Sequence, residues 1–269
     1  MNHAQYCGSS IYQSSVYQYE IKEHSLEAAE FIEKALRENL FFLYYQEIRP
    51  IEDNDEIIRE ILLRLPEEKT GEILLPRVFL PAAERFHLMG KVDRWVIRRC
   101  FQELSGHALA NTIYSINLSV HSLNDDTFIE FVESAGREFG IEPSHVCFEV
   151  TEAAAIANIQ TTAQRIFHLK ALGFRFSLDN FSQWIDSFSY LKQLPIDYLK
   201  VDGRLISKLL SDRNIFSTLD SINRLSHETG ITTVAANVSS SAISEAARQS
   251  GFDYVQGFMI SEPRPFVLL

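Results

Sequence analysis

Four polar residues stand at the ends of short apolar runs: Asn117 in YSINLS, Glu149 in VCFEVTE, Asp179 in FRFSLDN and Lys200 in DYLKVD. A buried strand has no intrinsic use for such groups, because desolvating a carboxylate or an ammonium is costly unless it is paired or binds a metal. A fifth, Glu60, lies inside the apolar run IIREILLRL. Brought to one point, Glu60, Asn117, Glu149 and Asp179 make a hard, all-oxygen donor set suited to Mg²⁺ or Mn²⁺ and poor for zinc. The plainer alternative is that each is a helix N-cap or a paired charge at a strand end, which Asn117 and Asp179 fit most easily. Spacing alone leaves both readings open.

The elements that would position these residues follow from periodicity. Between the four strand tips lie gaps of 32, 30 and 21 residues, each with room for a helix. The pattern predicts a helix over SLEAAEFIEKALREN with Ser25 as its N-cap, then strands FFLYYQEI and IIREILLRL around an acidic turn at Glu52–Glu56, pairing as a hairpin. A helix is expected from Leu80 to Cys100. Regular alternation follows, with helices stopping at Gly140, Gly173, Gly230 and Gly251, as left-handed C-caps do. Roughly eight strands alternating with helices argue for one α/β domain, a closed TIM-type (β/α)8 barrel with its polar tips at one mouth. Residues 1–24, rich in Ser, Gln and Tyr, read as an N-terminal extension or linker, with 25–269 as the barrel.

Composition narrows the function classes. The chain has 269 residues, 46% of them hydrophobic, and a formal net charge of −11. An acidic balance works against DNA or RNA as a partner, since such binders carry basic surfaces, but leaves room for a small anionic nucleotide in a local basic pocket. No apolar run of about 18 residues predicts a membrane span, and the N-terminus has no signal-peptide pattern. Cys7, Cys100 and Cys147 show no metal or redox spacing, and Cys100 and Cys147 fall in apolar periodic runs; a reducing cytoplasm is the expected setting.

Six ordered strings carry a further signal: EILLR (60–64), INLS (116–119), FEVTE (148–152), SLDNF (177–181), SYLKQLPIDYLKVD (189–202) and GFDYVQGF (251–258). Together they resemble the EAL family, whose members hydrolyse the bacterial second messenger cyclic di-GMP. The resemblance runs over about residues 26–265 and implies a barrel whose first strand is antiparallel to the rest. It implies Glu60, Asn117, Glu149 and Asp179 as ligands of one Mg²⁺ or Mn²⁺. Glu152 corresponds to the glutamate that steadies the adjoining loop. Lys200 would hold the attacking water or the phosphate, with Asp202 in support at the ligand. Gln46, Arg64 and Gln256 fall where the family contacts the guanine and phosphate parts of the dinucleotide.

Three departures from the family pattern matter. Its paired aspartates are Asp179-Asn180 here, so the partner for a second metal has lost its charge. Its Gly-Thr-Gly loop reads Ser182-Gln183-Trp184. Its AEGVE reads AANVS, which puts the expected general base at Ala236 and a further ligand-contacting glutamate at Ser239. The resemblance therefore implies a degenerate member with little or no turnover, acting as a cyclic di-GMP receptor, as a regulatory module docked on a protein partner, or as both. The alternatives are a slow metal-dependent phosphodiesterase and a nucleotide-independent protein-binding regulator. Tyr12, Tyr17, Tyr19 and Trp184 are the candidate docking aromatics, and a homodimer is an open option.

Overall fold

The computed structural model describes residues 26–52, 56–67, 70–107, 109, 111–182 and 190–267. Ser25, Cys7, the N-terminal tyrosines, residues 53–55 of the acidic turn, and Gln183 and Trp184 lie outside them. A first helix, α1 (Leu26–Glu38), buries Ala28, Ala29, Ile32 and Ala35 on one face. It leads into the hairpin of β1 (Phe42–Pro50) and β2 (Ile57–Pro66), which pair antiparallel in register, Gln46 opposite Glu60. From β2 onward the barrel strands run parallel: β4 (Thr112–Asn117), β5 (Val146–Thr151), β6 (Arg175–Phe181), β7 (Tyr198–Val201), β8 (Thr232–Ala235) and β9 (Tyr254–Gln256). β9 returns to β1 antiparallel, so eight strands close on themselves with one strand reversed, as expected.

Two short strands attach outside the ring. β3 (Ile73–Leu74) pairs with β2, and β10 (Arg264–Pro265) pairs with β1. The helix expected from Leu80 to Cys100 is two helices, α2 (Pro76–Arg85) and α3 (Met89–Leu104). Pro76 starts the first with no amide N–H to lose, and His87 at φ 56° breaks the chain between them. A left-handed residue ends a helix by turning its backbone away from the axis. Two more short helices, α4 (Val120–Asn124) and α6 (Glu152–Ala157), precede α5 (Phe128–Phe139) and α7 (Ile159–Ala171) in the connections after β4 and β5. The remaining helices are α8 (Gly203–Ile206), α9 (Arg213–Glu228) and α10 (Ser241–Gln249). Among the described residues, no helix is long and apolar enough to cross a membrane.

The apolar faces of helices and strands pack between the two layers, where Phe79, Phe101, Phe128, Phe148 and Phe176 are fully buried. A separate small cluster fills the barrel interior: Ile48, Ile58, Ile113, Cys147, Tyr198, Val234 and Tyr254, one from each strand except β6. On β6, Arg175 takes the corresponding place, donating to the Tyr198 hydroxyl (2.9 Å) and the Glu56 carboxylate (2.6 Å). This layer is the barrel's floor, and it fixes what stands above it.

Candidate functional site at the barrel mouth

Strand side chains alternate, so a residue two positions along from an inward-facing one also faces inward. Two residues above the floor, toward the C-terminal ends of the parallel strands, stand Glu60, Ser115, Glu149, Ser177, Lys200, Ala236 and Gln256; on antiparallel β1 the equivalent is Gln46. Another step up brings Asn117, Asp179 and Asp202. The floor is largely apolar, its Arg175 paired with Glu56, and the next layer is largely polar because most of its members bond one another. The site is thus a layer of the barrel.

Lys200 is the centre of that layer. Its ammonium donates to Glu60 Oε2 and Glu149 Oε1, both at 2.7 Å, and lies 3.8 Å from Asp179 Oδ1. Asn117 Nδ2 donates to Glu60 Oε1 (3.0 Å), Gln256 Nε2 to Glu60 Oε2 (2.6 Å), and Ser115 Oγ to Glu149 Oε2 (2.8 Å). Gln256 Nε2 also reaches Gln46 Oε1 (3.3 Å), and Gln46 in turn donates to the Ser261 carbonyl (2.8 Å). Glu60, Asn117, Glu149, Asp179, Lys200, Gln256 and Gln46, picked from seven separate strands, are brought together in one network.

Burial sets the electrostatics. It pushes the Glu149 carboxyl up to about 8, against the pull of the Lys200 ammonium, with Glu60 and Asp179 adding repulsion. Asp179 is raised for the same first reason. In Glu60, burial is outweighed by Lys200 and by the hydrogen bonds from Gln256 and Asn117, which leave it below the ordinary carboxylate range. For Lys200, burial favours the neutral amine, yet Glu149, Glu60 and Asp179 hold the ammonium well above its usual value. Lys200 is therefore a fixed cation here and has no lone pair with which to accept a proton.

The donor atoms suit a hard divalent cation: three carboxylates and an amide oxygen, with one ammonium to balance three acids. Among the described residues, however, no group of His, Cys, Asp and Glu is set as a ready metal cage. The ammonium stands where the acids converge, bonded to Glu60 and Glu149.

Glu152 is bonded to residues on both sides of 183–189, Ser182 and Tyr190. It is 4% exposed; its Oε2 accepts from the Ser182 amide (3.0 Å), and its Oε1 from the Tyr190 hydroxyl. Glu152→Ala should cost about 1–3 kcal/mol by leaving those donors short of an acceptor, read as a lower urea midpoint at unchanged slope. The Asp202 carboxylate accepts from the Arg204 amide (2.7 Å) and from Arg204 Nε (2.9 and 3.0 Å). Arg64, four residues beyond Glu60 on the same face of β2, sits roughly 13 Å further up the strand. It is 6% exposed, donates to the Leu63 carbonyl (2.8 Å) and lies 5.2 Å from the Tyr44 ring centroid.

Ala236 continues the β8 ladder, its amide bonded to the Val201 carbonyl (3.3 Å), and presents a buried methyl to the polar layer. Asn237 follows at φ 58°, and the chain then crosses so close to Gly257 that a Cβ there would sit 2.1 Å from the Val238 carbonyl oxygen. Sequence reading missed Ser115 and Arg204. Stepping back two residues from Asn117 along its strand would have found the serine; Arg204 carried no periodic signal.

The profile of the EAL domain matches residues 29–263. The chain is 38% identical over 237 residues to the cyclic di-GMP phosphodiesterase PdeB of Shewanella oneidensis, covering 87% of this chain and 28% of PdeB. It is 32% identical over 238 residues to the cyclic di-GMP phosphodiesterase PdeF of Escherichia coli, covering 88% and 32% respectively. It thus spans about a third of the length of these curated relatives. Its fold matches the FimX EAL domain of Pseudomonas aeruginosa, solved bound to c-di-GMP, at a TM-score of 0.83 and 26% identity, over 88% of this chain and 96% of that one. A closed barrel with one reversed strand, its polar tips converging at the mouth, and a family profile spanning nearly all of it lead to one conclusion: the chain belongs to the EAL domain family.

Proposed function

We propose that this chain is a cyclic di-GMP receptor module: it binds the dinucleotide at the barrel mouth, leaves it intact and passes the signal to a protein partner. The ligand is suggested by the names of the relatives and by the FimX complex. The observation that carries the reading is Ala236, a methyl in the inward polar layer at the position where the family pattern puts its base. General base catalysis is typically worth ~10²–10⁴-fold in rate. Lys200 is a poor substitute, since Glu60, Glu149 and Asp179 around it favour its ammonium form. Asn180 compounds the loss, since an amide in place of an aspartate is a poor bridge to a second metal, and two-metal sites stabilise both the attacking and the leaving oxygen.

Recognition groups remain. Gln46 and Gln256 offer amides at the mouth, and the buried Arg64 can supply charge-assisted bonds to a phosphate oxygen. If Mg²⁺ or Mn²⁺ is bound, Glu60, Asn117, Glu149 and Asp179 are the groups to hold it, and it would supply positive charge to the phosphate. A slow phosphodiesterase is the rival reading, and it draws on those four retained oxygens and on the relatives' names.

Calorimetry with cyclic di-GMP tests the receptor reading. Binding in the micromolar range is expected, and Arg64→Ala should weaken it by about tenfold or more, the worth of one hydrogen bond to a charged group. No heat up to millimolar ligand would reject it. Capture of a protein from bacterial lysate only when nucleotide is present would fit a receptor. Equal capture with and without nucleotide would fit a nucleotide-independent regulator.

A further inference from the structure

Beside the carboxylate cluster, a cavity of about 580 Å³ opens between the ends of β5, β6 and β7, lined by Thr151, Glu152, Asn180, Ser182, Asp202 and Arg204. Both of its acids are already engaged. Glu152 accepts from Ser182 and Tyr190, and Asp202 from the backbone and guanidinium of Arg204. The Arg204 guanidinium, 80% exposed, lines the cavity while paired on one edge with Asp202. A guanidinium carries five N–H donors in a planar fork. Asp202 takes the Nε and Nη2 edge, and among the described residues nothing bonds Nη1.

We propose that Arg204 is a phosphate-binding residue, receiving a phosphodiester oxygen of the dinucleotide in this cavity; the assignment rests on the receptor reading above. Asn180 lines the same cavity and donates to Asp179 Oδ2 (2.9 Å), so the cavity adjoins the polar layer directly. Where Asn180 has removed the carboxylate that could bridge a second metal, Arg204 brings a cation that needs no such ligand. With Asp202 on one edge, Nη1 still offers N–H donors to a phosphate oxygen in a fixed plane, which an ammonium does not. Asp202 holds the guanidinium in place beforehand, so less side-chain freedom is lost when ligand arrives.

The test is calorimetry of the full chain with cyclic di-GMP at several salt concentrations, comparing wild type, Arg204→Gln and Arg204→Lys. Arg204→Gln should weaken binding by about tenfold or more and flatten its salt dependence. Arg204→Lys, which keeps the charge and the pairing with Asp202, should lose only part of the affinity and keep the salt slope. The lysine variant carries the comparison if the glutamine one folds poorly. Arg204→Gln binding within twofold of wild type, at the same salt slope, overturns the assignment and leaves the receptor reading standing. A wild type that binds nothing overturns both.

Discussion

Lys200→Met is expected to destabilise the chain by about 3–5 kcal/mol, the cost of leaving buried charges without their partner. In a chelating buffer this should appear as a melting midpoint lower by roughly 10 °C or more. Methionine keeps the volume of the stem and removes only the charge, so packing contributes little to the loss. The acids can shed part of the cost by taking up protons. Glu60, Glu149 and Asp179 in the variant would then have folded-state pKa values above their unfolded ones. Such groups favour the folded state when protonated, so the variant's deficit should grow as pH rises through the raised values. Mn²⁺ should restore much of the loss, since a divalent cation can take the ammonium's place among the same oxygens. An unchanged melting midpoint in chelator would show that Lys200 is not the counter-charge of the layer.

On the receptor reading, turnover should be recoverable in part by giving the mouth a base and a second paired acid. Ala236→Glu with Asn180→Asp is expected to raise hydrolysis of cyclic di-GMP by about a hundredfold or more over wild type with Mn²⁺, the lower end of what a positioned base contributes. Position 236 faces the polar layer from the end of β8, two residues beyond the inward Val234, so a longer carboxylate there points into the mouth. Asn180 already has its side chain against Asp179, which places an aspartate at 180 beside the existing acids. The pair is measured by the linear dinucleotide formed. A variant that folds, binds nucleotide and stays inert would mean that the missing catalysis lies elsewhere, with the altered loop after Ser182 the next place to look.

Most of this architecture was legible in the chain because barrel strands end where their chemistry begins. Asn117, Glu149, Asp179 and Lys200 stand out as polar tips on apolar runs, and the alternation that buries Ile113, Cys147 and Tyr198 brings Lys200 to Glu149 and Asp179, and Asn117 to Glu60. Gln46 and Gln256 came only from the family resemblance, because an amide within or beside a strand gives no local sign of its partner. The break at His87 was hidden: apolar periodicity continues across it, and a left-handed residue that is not glycine leaves little trace. β10 was invisible for a related reason, since two residues that include a proline make no strand pattern. Asp202 too came from the family resemblance, and nothing in the pattern points to Arg204, two residues on, which bonds its carboxylate from the first turn of the next helix.

A receptor holds the dinucleotide and does not cut it, so the fate of the nucleotide decides between receptor and enzyme. Purified wild-type chain is incubated with excess cyclic di-GMP and Mn²⁺, and the recovered nucleotide is separated by chromatography. The ligand, including the fraction eluting with the protein, is expected back cyclic and intact. Steady accumulation of linear dinucleotide over many turnovers, abolished by Glu60→Ala, would contradict it and make this chain a working phosphodiesterase.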